Sequence, residues 1–194
     1  MSPHPKTIAF LGTAALFLFL DQLSKFIVRA GLQPYKDEWV IVPNLLSIAH
    51  AKNTGAAFSA MDDWEYRYYV FFTLTGVAVV VLWQGYKQLR IDDRLQGAAM
   101  GFILSGALGN FIDRLLFRAV TDMIKVQWGW EPGKAWLRDL PPLHSHVWPI
   151  FNIADSCIFI GLGLFAISFI FEKDRPAEEA EAVKAPGSST PSLE

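Results

Sequence analysis

Four long apolar segments, separated by polar connections, constrain this chain more than any other feature of its sequence. The first runs from Thr7 to Leu20 without a charged residue, and the last runs from Cys157 to Phe171. Since a helix rises about 1.5 Å per residue, about 20 residues span a hydrocarbon layer of roughly 30 Å. The sequence therefore predicts an all-α membrane protein, a bundle of four transmembrane helices. The predicted spans are residues 7–29, 68–86, 95–116 and 152–171.

Composition supports a membrane protein and argues against several function classes. The chain is 52% hydrophobic and 14% aromatic, which is not the composition of an ordinary soluble domain. Its formal net charge of -2 offers no basic surface for nucleic acid. His144 and His146 are the closest histidine pair and make a poor metal candidate, while Cys157 is the single cysteine and has no disulfide partner. We expect a monomer with no metal and no cofactor.

The first apolar segment has two possible interpretations, a retained span or a cleaved signal peptide. No small-residue cleavage pattern follows it, and the helical pattern continues instead through Lys25 to Arg29. A transmembrane helix is therefore the favoured interpretation.

With four spans, the end of helix one, the start of helix two, the end of helix three and the start of helix four share one membrane face. This holds whichever way the protein is oriented. Nearly all the unusual polar residues fall at that face: Asp21, Lys25, Asn53, Asn110, Asp113, Arg114, Asp122, Asn152 and Asp155. We expect any chemistry to occur there.

The orientation is read from the short loop Lys87–Arg94, which carries three basic residues and is therefore assigned to the cytoplasm. Basic residues also occur in the long loops, so the charge density beside the helix ends decides the assignment. Both termini are then cytoplasmic, and loops 30–67 and 117–151 are extracytoplasmic. We expect one integral membrane domain, residues 1–172, followed by a disordered cytoplasmic tail, residues 173–194, rich in Ala, Glu, Pro and Ser.

The extracytoplasmic loops are expected to carry a small β-sheet. Residues 39–42 and 45–49 are strand-like and flank the turn signal Pro43-Asn44, and a second turn is predicted at residues 53–55. Most tryptophans fall in the two long loops, at positions 39, 64, 128, 130, 136 and 148. Indole rings favour the headgroup layer, so these surface loops are expected to lie on the membrane. Packing of the rings inside the loops themselves is the alternative.

Helix three carries small residues at a strict spacing of four: Gly97, Gly101, Ser105 and Gly109. Such a stripe lets another helix approach its backbone closely. We assign it a structural meaning only.

Two carboxylates provide the candidate chemistry. Asp122 follows the third span and Asp155 opens the fourth, and an ionisable residue at the edge of a span is a functional candidate, because a charge costs about 2.5 to 3.5 kcal/mol at a helix centre. Capping of the helix N-terminus is an equal alternative for Asp155 alone. Two close carboxylates share one proton, and such a pair can hydrolyse a peptide bond with water alone. Sequence spacing does not show that the two meet.

Other polar residues have supporting interpretations. Asp21 and Lys25 are four apart, acid first, which favours an ion pair on one helix face. That pair either buttresses the site or only lowers the cost of two charges near the interface. Asn110 and Arg114 share a face of helix three, whereas Asp113 and Arg114 point apart. Arg114 is placed to steady a carboxylate or to hold a lipid phosphate.

Five sequence blocks, in this order, resemble the lipoprotein signal peptidases, or signal peptidase II. The blocks cover the chain from helix one through helix four, and together they are specific where each alone would be weak. They are Asp21-Gln22-Leu23-Ser24-Lys25, Asn53-Thr54-Gly55-Ala56-Ala57-Phe58-Ser59, Gly106-Ala107-Leu108-Gly109-Asn110-Phe111-Ile112-Asp113-Arg114, Val120-Thr121-Asp122 and Phe151-Asn152-Ile153-Ala154-Asp155-Ser156.

The resemblance implies an intramembrane aspartyl endopeptidase of the bacterial plasma membrane. It implies cleavage of prolipoproteins just before a cysteine that already carries diacylglycerol, with membrane lipid solvating those acyl chains. By motif, Asp122 and Asp155 take the places of the catalytic pair. The resemblance also implies positions that line or support the site: Asp21, Lys25, Asn53, Gly55, Asn110, Asp113, Arg114 and Asn152.

Two departures from the family pattern bear on the loops. Family members usually have an aromatic residue after the first catalytic aspartate, where this chain has Met123. Residues 127–147 make a longer connection than is usual, which we interpret as an insertion on the membrane surface acting as a lid. These departures leave the loop geometry and the substrate preference open. They do not affect the assignment of the pair of aspartates.

Two other classes of function remain as alternatives. A small transporter would use the same carboxylates but would need polar residues continuing to the opposite face, and helices two and four supply almost none. A lipid-binding scaffold without catalysis would keep its function when both aspartates are neutralised.

Overall fold

The computed structural model describes residues 3–55, 66–127 and 148–172. Within these ranges the chain forms four helices and a three-stranded sheet. In chain order they are α1 Pro5–Gly31, β1 Glu38–Val42, β2 Leu46–Asn53, α2 Arg67–Gln88, α3 Arg94–Phe117, β3 Val120–Val126 and α4 Ile153–Glu172.

The four predicted helices are all present, and each end lies within two residues of its predicted position. Three helices, Pro5–Gly31, Tyr69–Gln88 and Arg94–Phe117, are long and apolar enough to cross a membrane. The apolar part of α4, Ile153–Ser168, is shorter. Three of the four predicted spans therefore coincide with helices that could cross a membrane, and that the helices do cross one stays a prediction.

The bundle is apolar outside and polar inside at one end. Large apolar side chains point outward, as in Phe19 and Phe159, which are 63% and 80% exposed. In contrast, Asp21, Lys25 and Asp113 are at most 1% exposed. This distribution suits a surrounding hydrocarbon layer, in which buried charges must find partners within the protein.

Helix α3 lies at the centre of the bundle, where its small residues let the neighbours approach. A Cβ atom added to Gly97 or Gly101 would overlap the backbone of α1, at Lys6 and Phe10 respectively. A Cβ on Gly106 would overlap the carbonyl group of Ala154 in α4. The predicted close packing of the helix-three stripe is confirmed, and α1 is its partner. Helix α2 contacts α3 through an edge-on pair of rings, Phe72 and Phe111, with centroids 5.1 Å apart.

The strands form an antiparallel sheet in the order β1-β2-β3. The first two strands and their turn confirm the predicted hairpin, in which Asn44 takes the left-handed conformation (φ 59°) that asparagine tolerates. The third strand differs from the prediction, because the sequence pattern predicts a loop over residues 117–151. Strand β3 follows α3 after a left-handed turn at Arg118 and bridges to Phe151, just before α4. The sheet therefore covers the end of the bundle where α4 begins, which we call the sheet end.

Several predictions concern loop residues. Trp39 and Trp148 are 40% and 42% exposed, so neither ring is buried within the protein, and their place in the headgroup layer stays a prediction. Met123, where the family pattern has an aromatic residue, is buried in a small core with Val28 and Leu32. The remaining loop and tail predictions lie outside the described residues: the other four loop tryptophans, the motif residues 56–59, the histidines at 144 and 146, the insertion and the tail.

Candidate active site

Asp122 lies in β3 and is 3% exposed. Its strand is fixed from both sides, because β2 pairs with it and Met123 and Ile124 donate their backbone N–H groups to the carbonyl group of Phe151. The preceding residue, Thr121, donates its backbone N–H to Oδ2 of Asp113 at 2.8 Å. The strand that carries this buried carboxylate is therefore held in place by β2, by Phe151 just before α4 and by Asp113 of α3.

Asp155 lies in the first turn of α4 and forms a reciprocal cap with Asn152. The backbone N–H of Asp155 donates to Oδ1 of Asn152 at 3.0 Å, and the backbone N–H of Asn152 donates to Oδ2 of Asp155 at 3.2 Å. This capping box satisfies two N–H groups that a helix start leaves free. The capping interpretation of Asp155 is confirmed, yet it uses only one carboxylate oxygen. The other oxygen, Oδ1, accepts a hydrogen bond from Nδ2 of Asn110 at 2.8 Å.

A chain of amides joins the two carboxyl groups. Nδ2 of Asn152 donates to Oδ1 of Asp122 at 2.6 Å and to Oδ1 of Asn110 at 3.2 Å, and Asn110 in turn donates to Asp155. Nδ2 of Asn53 donates to the second oxygen of Asp122 at 3.0 Å. Each of the four carboxylate oxygens therefore accepts at least one N–H hydrogen bond. The structure brings Asp122 and Asp155 into one polar network, which sequence spacing alone could not show.

The pKa of Asp122 is raised to about 6, first by burial and second by the nearby negative charge of Asp155. Hydrogen bonds from Asn53 and Asn152 and the positive charge of Lys25 act in the opposite direction. Because desolvation disfavours the charged form of a carboxyl group, Asp122 holds a proton more readily than an exposed aspartate does.

Beneath the pair lies a buried ionic cluster. Nζ of Lys25 is 2.9 Å from Asp21 and 3.4 Å from Asp113, and it donates to Oδ1 of Asn110 at 3.1 Å. The Asp21–Lys25 ion pair predicted from the four-residue spacing is present. Asp21 also accepts the backbone N–H of Ala154 at 2.9 Å, so it fastens the start of α4 to α1. The cluster thereby supports both Asn110 and the helix that carries Asp155.

The other predicted residues lie around the same network. Gly55 is buried at φ 113°, a conformation that favours glycine, and its N–H donates to Oδ1 of Asn53 at 2.9 Å. A Cβ atom there would be 3.2 Å from the ring of Phe71. The guanidinium carbon of Arg114 lies 4.2 Å from the centroid of that ring, and Nη1 donates to the carbonyl group of Asn110 at 3.2 Å. Asp113 and Arg114 point apart, as predicted.

Sequence reasoning assigned no site role to Arg29 and Thr121, which belong to this network. Nη1 of Arg29 contacts Oδ1 of Asp113 at 3.3 Å and Oγ1 of Thr121 at 3.1 Å. The available signal was helical spacing, because Arg29 follows Lys25 by four residues and so shares its face.

The sequence matches the family described as Signal peptidase (SPase) II over residues 13–171. The chain belongs to the signal peptidase II family. Among its relatives, a lipoprotein signal peptidase of Geobacter metallireducens is 34% identical over 92% of this chain and 99% of its own length. That of Geobacter sulfurreducens is 37% identical over 82% of this chain and 90% of its own.

Two solved structures of bacterial membrane enzymes share the fold of this signal peptidase II chain. One has a TM-score of 0.67 at 28% identity and covers 84% of this chain and 92% of its own. The other has a TM-score of 0.66 at 26% identity and covers 92% of each chain. The resemblance stated from the five motifs is therefore confirmed. As a signal peptidase II, the chain is an aspartic peptidase that removes signal peptides from prolipoproteins.

Proposed function

We propose that Asp122 and Asp155 are the catalytic pair and that the scissile bond precedes a cysteine carrying diacylglycerol. The observation that carries this proposal is the amide chain through Asn152 and Asn110, which links the two carboxyl groups at 2.6, 3.2 and 2.8 Å. Two acids joined through side-chain amides at one end of the bundle supply the acid and the base that peptide hydrolysis requires.

The two acids differ in their surroundings, which assigns them different roles. Asp122 is almost fully buried and its pKa is raised to about 6, so it is the proposed proton donor to the carbonyl oxygen of the scissile bond. Asp155 is partly exposed and accepts N–H hydrogen bonds on both oxygens. Because Asp155 is only partly buried, water can reach it, and Asp155 is therefore the proposed base that takes a proton from the attacking water.

After attack, the proposed roles reverse. Asp155, now carrying the proton from water, donates it to the nitrogen of the leaving peptide as the carbon–nitrogen bond breaks. Asp122 recovers its proton as the carbonyl of the new carboxyl group re-forms. The pair returns to its starting state with one proton, so no covalent intermediate is needed.

The remaining predicted residues are proposed to position this pair or to bind substrate. Lys25 and Asn152 both donate to Oδ1 of Asn110, which orients its Nδ2 toward Asp155. Asp21 and Asp113 hold the starts of α4 and of β3 through backbone N–H groups. The proposed substrate contacts are the groups beside Phe71, namely Gly55 and Arg114.

The site is proposed to face the extracytoplasmic side of the bacterial plasma membrane, with four spans and both termini in the cytoplasm. Support comes from the basic loop Lys87–Arg94 at the opposite end of the bundle and from the apolar outer surface of the helices. Residues 1–172 make up the proposed membrane domain, and the protein is proposed to act as a monomer. Acyl chains of the substrate then remain in lipid while the scissile bond reaches water at the boundary.

The proposal is tested by incubating the purified protein with a diacylglyceryl prolipopeptide and measuring the product masses. Cleavage before the lipidated cysteine is expected, and an otherwise identical peptide without the lipid is expected to remain largely intact. EDTA should leave the rate unchanged, because no step uses a metal. Cleavage at another bond, or loss of activity in EDTA, would overturn the proposal.

A further inference from the structure

Arg29, in the last turn of α1, contacts three groups at the sheet end. Its Nη1 lies 3.3 Å from Oδ1 of Asp113 and 3.1 Å from Oγ1 of Thr121. Its guanidinium carbon lies 4.3 Å from the centroid of the Phe117 ring, which stacks it in place. The side chain is 21% exposed, whereas that of Asp113 is fully buried, so the contact with Asp113 is shielded from water on the acid's side.

Thr121 is held by both of its polar groups. Its backbone N–H donates to Oδ2 of Asp113 at 2.8 Å, and its hydroxyl group accepts from Arg29. The residue is 3% exposed and immediately precedes Asp122. Rotation or sliding of β3 at this point would break both bonds together, and it would move the Asp122 carboxyl group by a similar amount.

The charge balance of the cluster also depends on Arg29. Two buried acids, Asp21 and Asp113, share the single ammonium group of Lys25. Arg29 supplies a second positive charge on Oδ1 of Asp113, whereas the Lys25 ion pair is with Oδ2. A planar guanidinium group suits this place because one nitrogen can donate to a carboxylate and a hydroxyl group while its face packs on a ring.

We infer that Arg29 is a positioning residue for the peptidase reaction, acting on Asp122 through Thr121. This inference rests on the proposed catalytic role of Asp122. Because Arg29 touches the strand that carries the acid, its loss should slow the chemical step and leave substrate binding unchanged. Loss of an interaction made only with the catalytic machinery lowers kcat, whereas loss of a substrate contact raises KM.

The test compares Arg29→Met, Arg29→Lys, Thr121→Val and Thr121→Ser in the full-length protein, with the diacylglyceryl prolipopeptide as substrate. Methionine keeps much of the packing on Phe117 but donates no hydrogen bond. We expect Arg29→Met and Thr121→Val each to lower kcat by about tenfold or more, with KM within about twofold of the parent value, since a small misplacement of a catalytic group is costly. Arg29→Lys keeps a charged N–H donor and should be faster than Arg29→Met. Thr121→Ser keeps the hydroxyl group and should be faster than Thr121→Val.

The double variant Arg29→Met with Thr121→Val separates positioning from general destabilisation. If the two residues act through one bond, the double variant should be no slower than the slower single variant. A double variant whose fold-loss in kcat equals the product of the two single-variant losses would overturn the inference. The matched control is Arg90→Met, which removes an arginine that pairs with Asp92 at 3.4 Å on the exposed surface, and it should leave kcat unchanged.

Other outcomes are equally informative. A raised KM with unchanged kcat would assign Arg29 to the substrate or to a lipid headgroup and would overturn the inference. If Arg29→Met does not fold, Thr121→Val against Thr121→Ser decides the question, because serine retains the hydroxyl group. Retained cleavage in Asp122→Asn would instead contradict the proposed function, so the two failures are distinguishable.

Discussion

The side-chain amide of Asn152 donates to Oδ1 of Asp122 at 2.6 Å, so the residue that caps α4 also holds the carboxyl group carried by β3. One side chain therefore couples the start of a helix to a strand 30 residues earlier in the chain. This coupling explains how two acids on different elements keep a fixed relative position. It also separates two roles of Asn152 that substitution can test.

Asn152→Ser should keep the helix cap while losing the amide donor, because serine is a good N-cap residue. We expect thermal stability close to that of the parent protein and a rate at least about tenfold lower, since the amide positions Asp122 and a small misplacement of a catalytic group is costly. Asn152→Ala should lower both the thermal stability and the cleavage rate, because it removes the cap and the amide donor together. Unfolding in detergent and lipopeptide cleavage measure the two effects separately, and a fully active serine variant would contradict the role assigned to the amide.

The pH dependence of kcat/KM should reflect the raised pKa of Asp122. The group acts as a proton donor with a pKa of about 6, so kcat/KM should decline as the pH rises above that value. Asn53 donates to the carboxylate form, and its removal therefore raises the pKa. In Asn53→Ala the alkaline limb should move to higher pH, whereas the exposed neighbour variant Lys52→Ala should leave it in place. A limb that moves to lower pH in Asn53→Ala would contradict the assignment of Asp122 as the acid.

Lys25→Met should destabilise the protein strongly. It leaves Asp21 and Asp113 buried without their shared cation, and breaking a buried ion pair costs about 3 to 5 kcal/mol. The matched variant is Lys125→Met, which removes a partly exposed pair with Glu38 and should cost at most about 1 kcal/mol. Denaturant midpoints in detergent compare the two. Equal effects would mean that the buried cluster contributes no more than a surface pair.

Gly106→Ala should separate α4 from α3. The added methyl group would overlap the carbonyl group of Ala154, adjacent to Asp155, and overpacking costs about 1 to 3 kcal/mol. We expect lower stability and a lower kcat. Gly163→Ala is the control in the same helix pair, because in the described part of the chain no atom of a neighbouring element lies within 4 Å of its added Cβ. A fully active Gly106→Ala variant would show that α4 can shift without disturbing the site.

Periodicity and apolar length predicted the helices closely, because a bilayer sets both the length and the composition of a span. The hairpin was predicted from its turn residues. Strand β3 was missed, although Val120, Thr121, Ile124 and Val126 are β-branched residues that favour strands. A short strand beside a helix end is stabilised by pairing with β2 and by the bridge to Phe151, and these partners are distant in sequence.

The candidate site was predictable as a set of residues but not as a network. Motif resemblance assigned Asn110 and Asn152 to the site without indicating that their amides connect the two acids. The partners of Asp21 and Asp113 are backbone N–H groups, at Ala154 and Thr121, which no side-chain pattern reveals. For Arg29, the signal in the sequence was its spacing of four residues from Lys25, which places both on one helix face.

The central claim is that Asp122 and Asp155 together activate water for peptide hydrolysis. The most direct measurement is single-turnover cleavage of the diacylglyceryl prolipopeptide by Asp122→Asn and Asp155→Asn, read by mass spectrometry, in protein whose thermal unfolding matches the parent. Asparagine keeps the shape of the side chain and removes its acid–base chemistry, which alone contributes about 10²- to 10⁴-fold. We predict that neither variant yields product within the time that the parent needs for complete conversion. Cleavage by either variant at the parent rate would contradict the account.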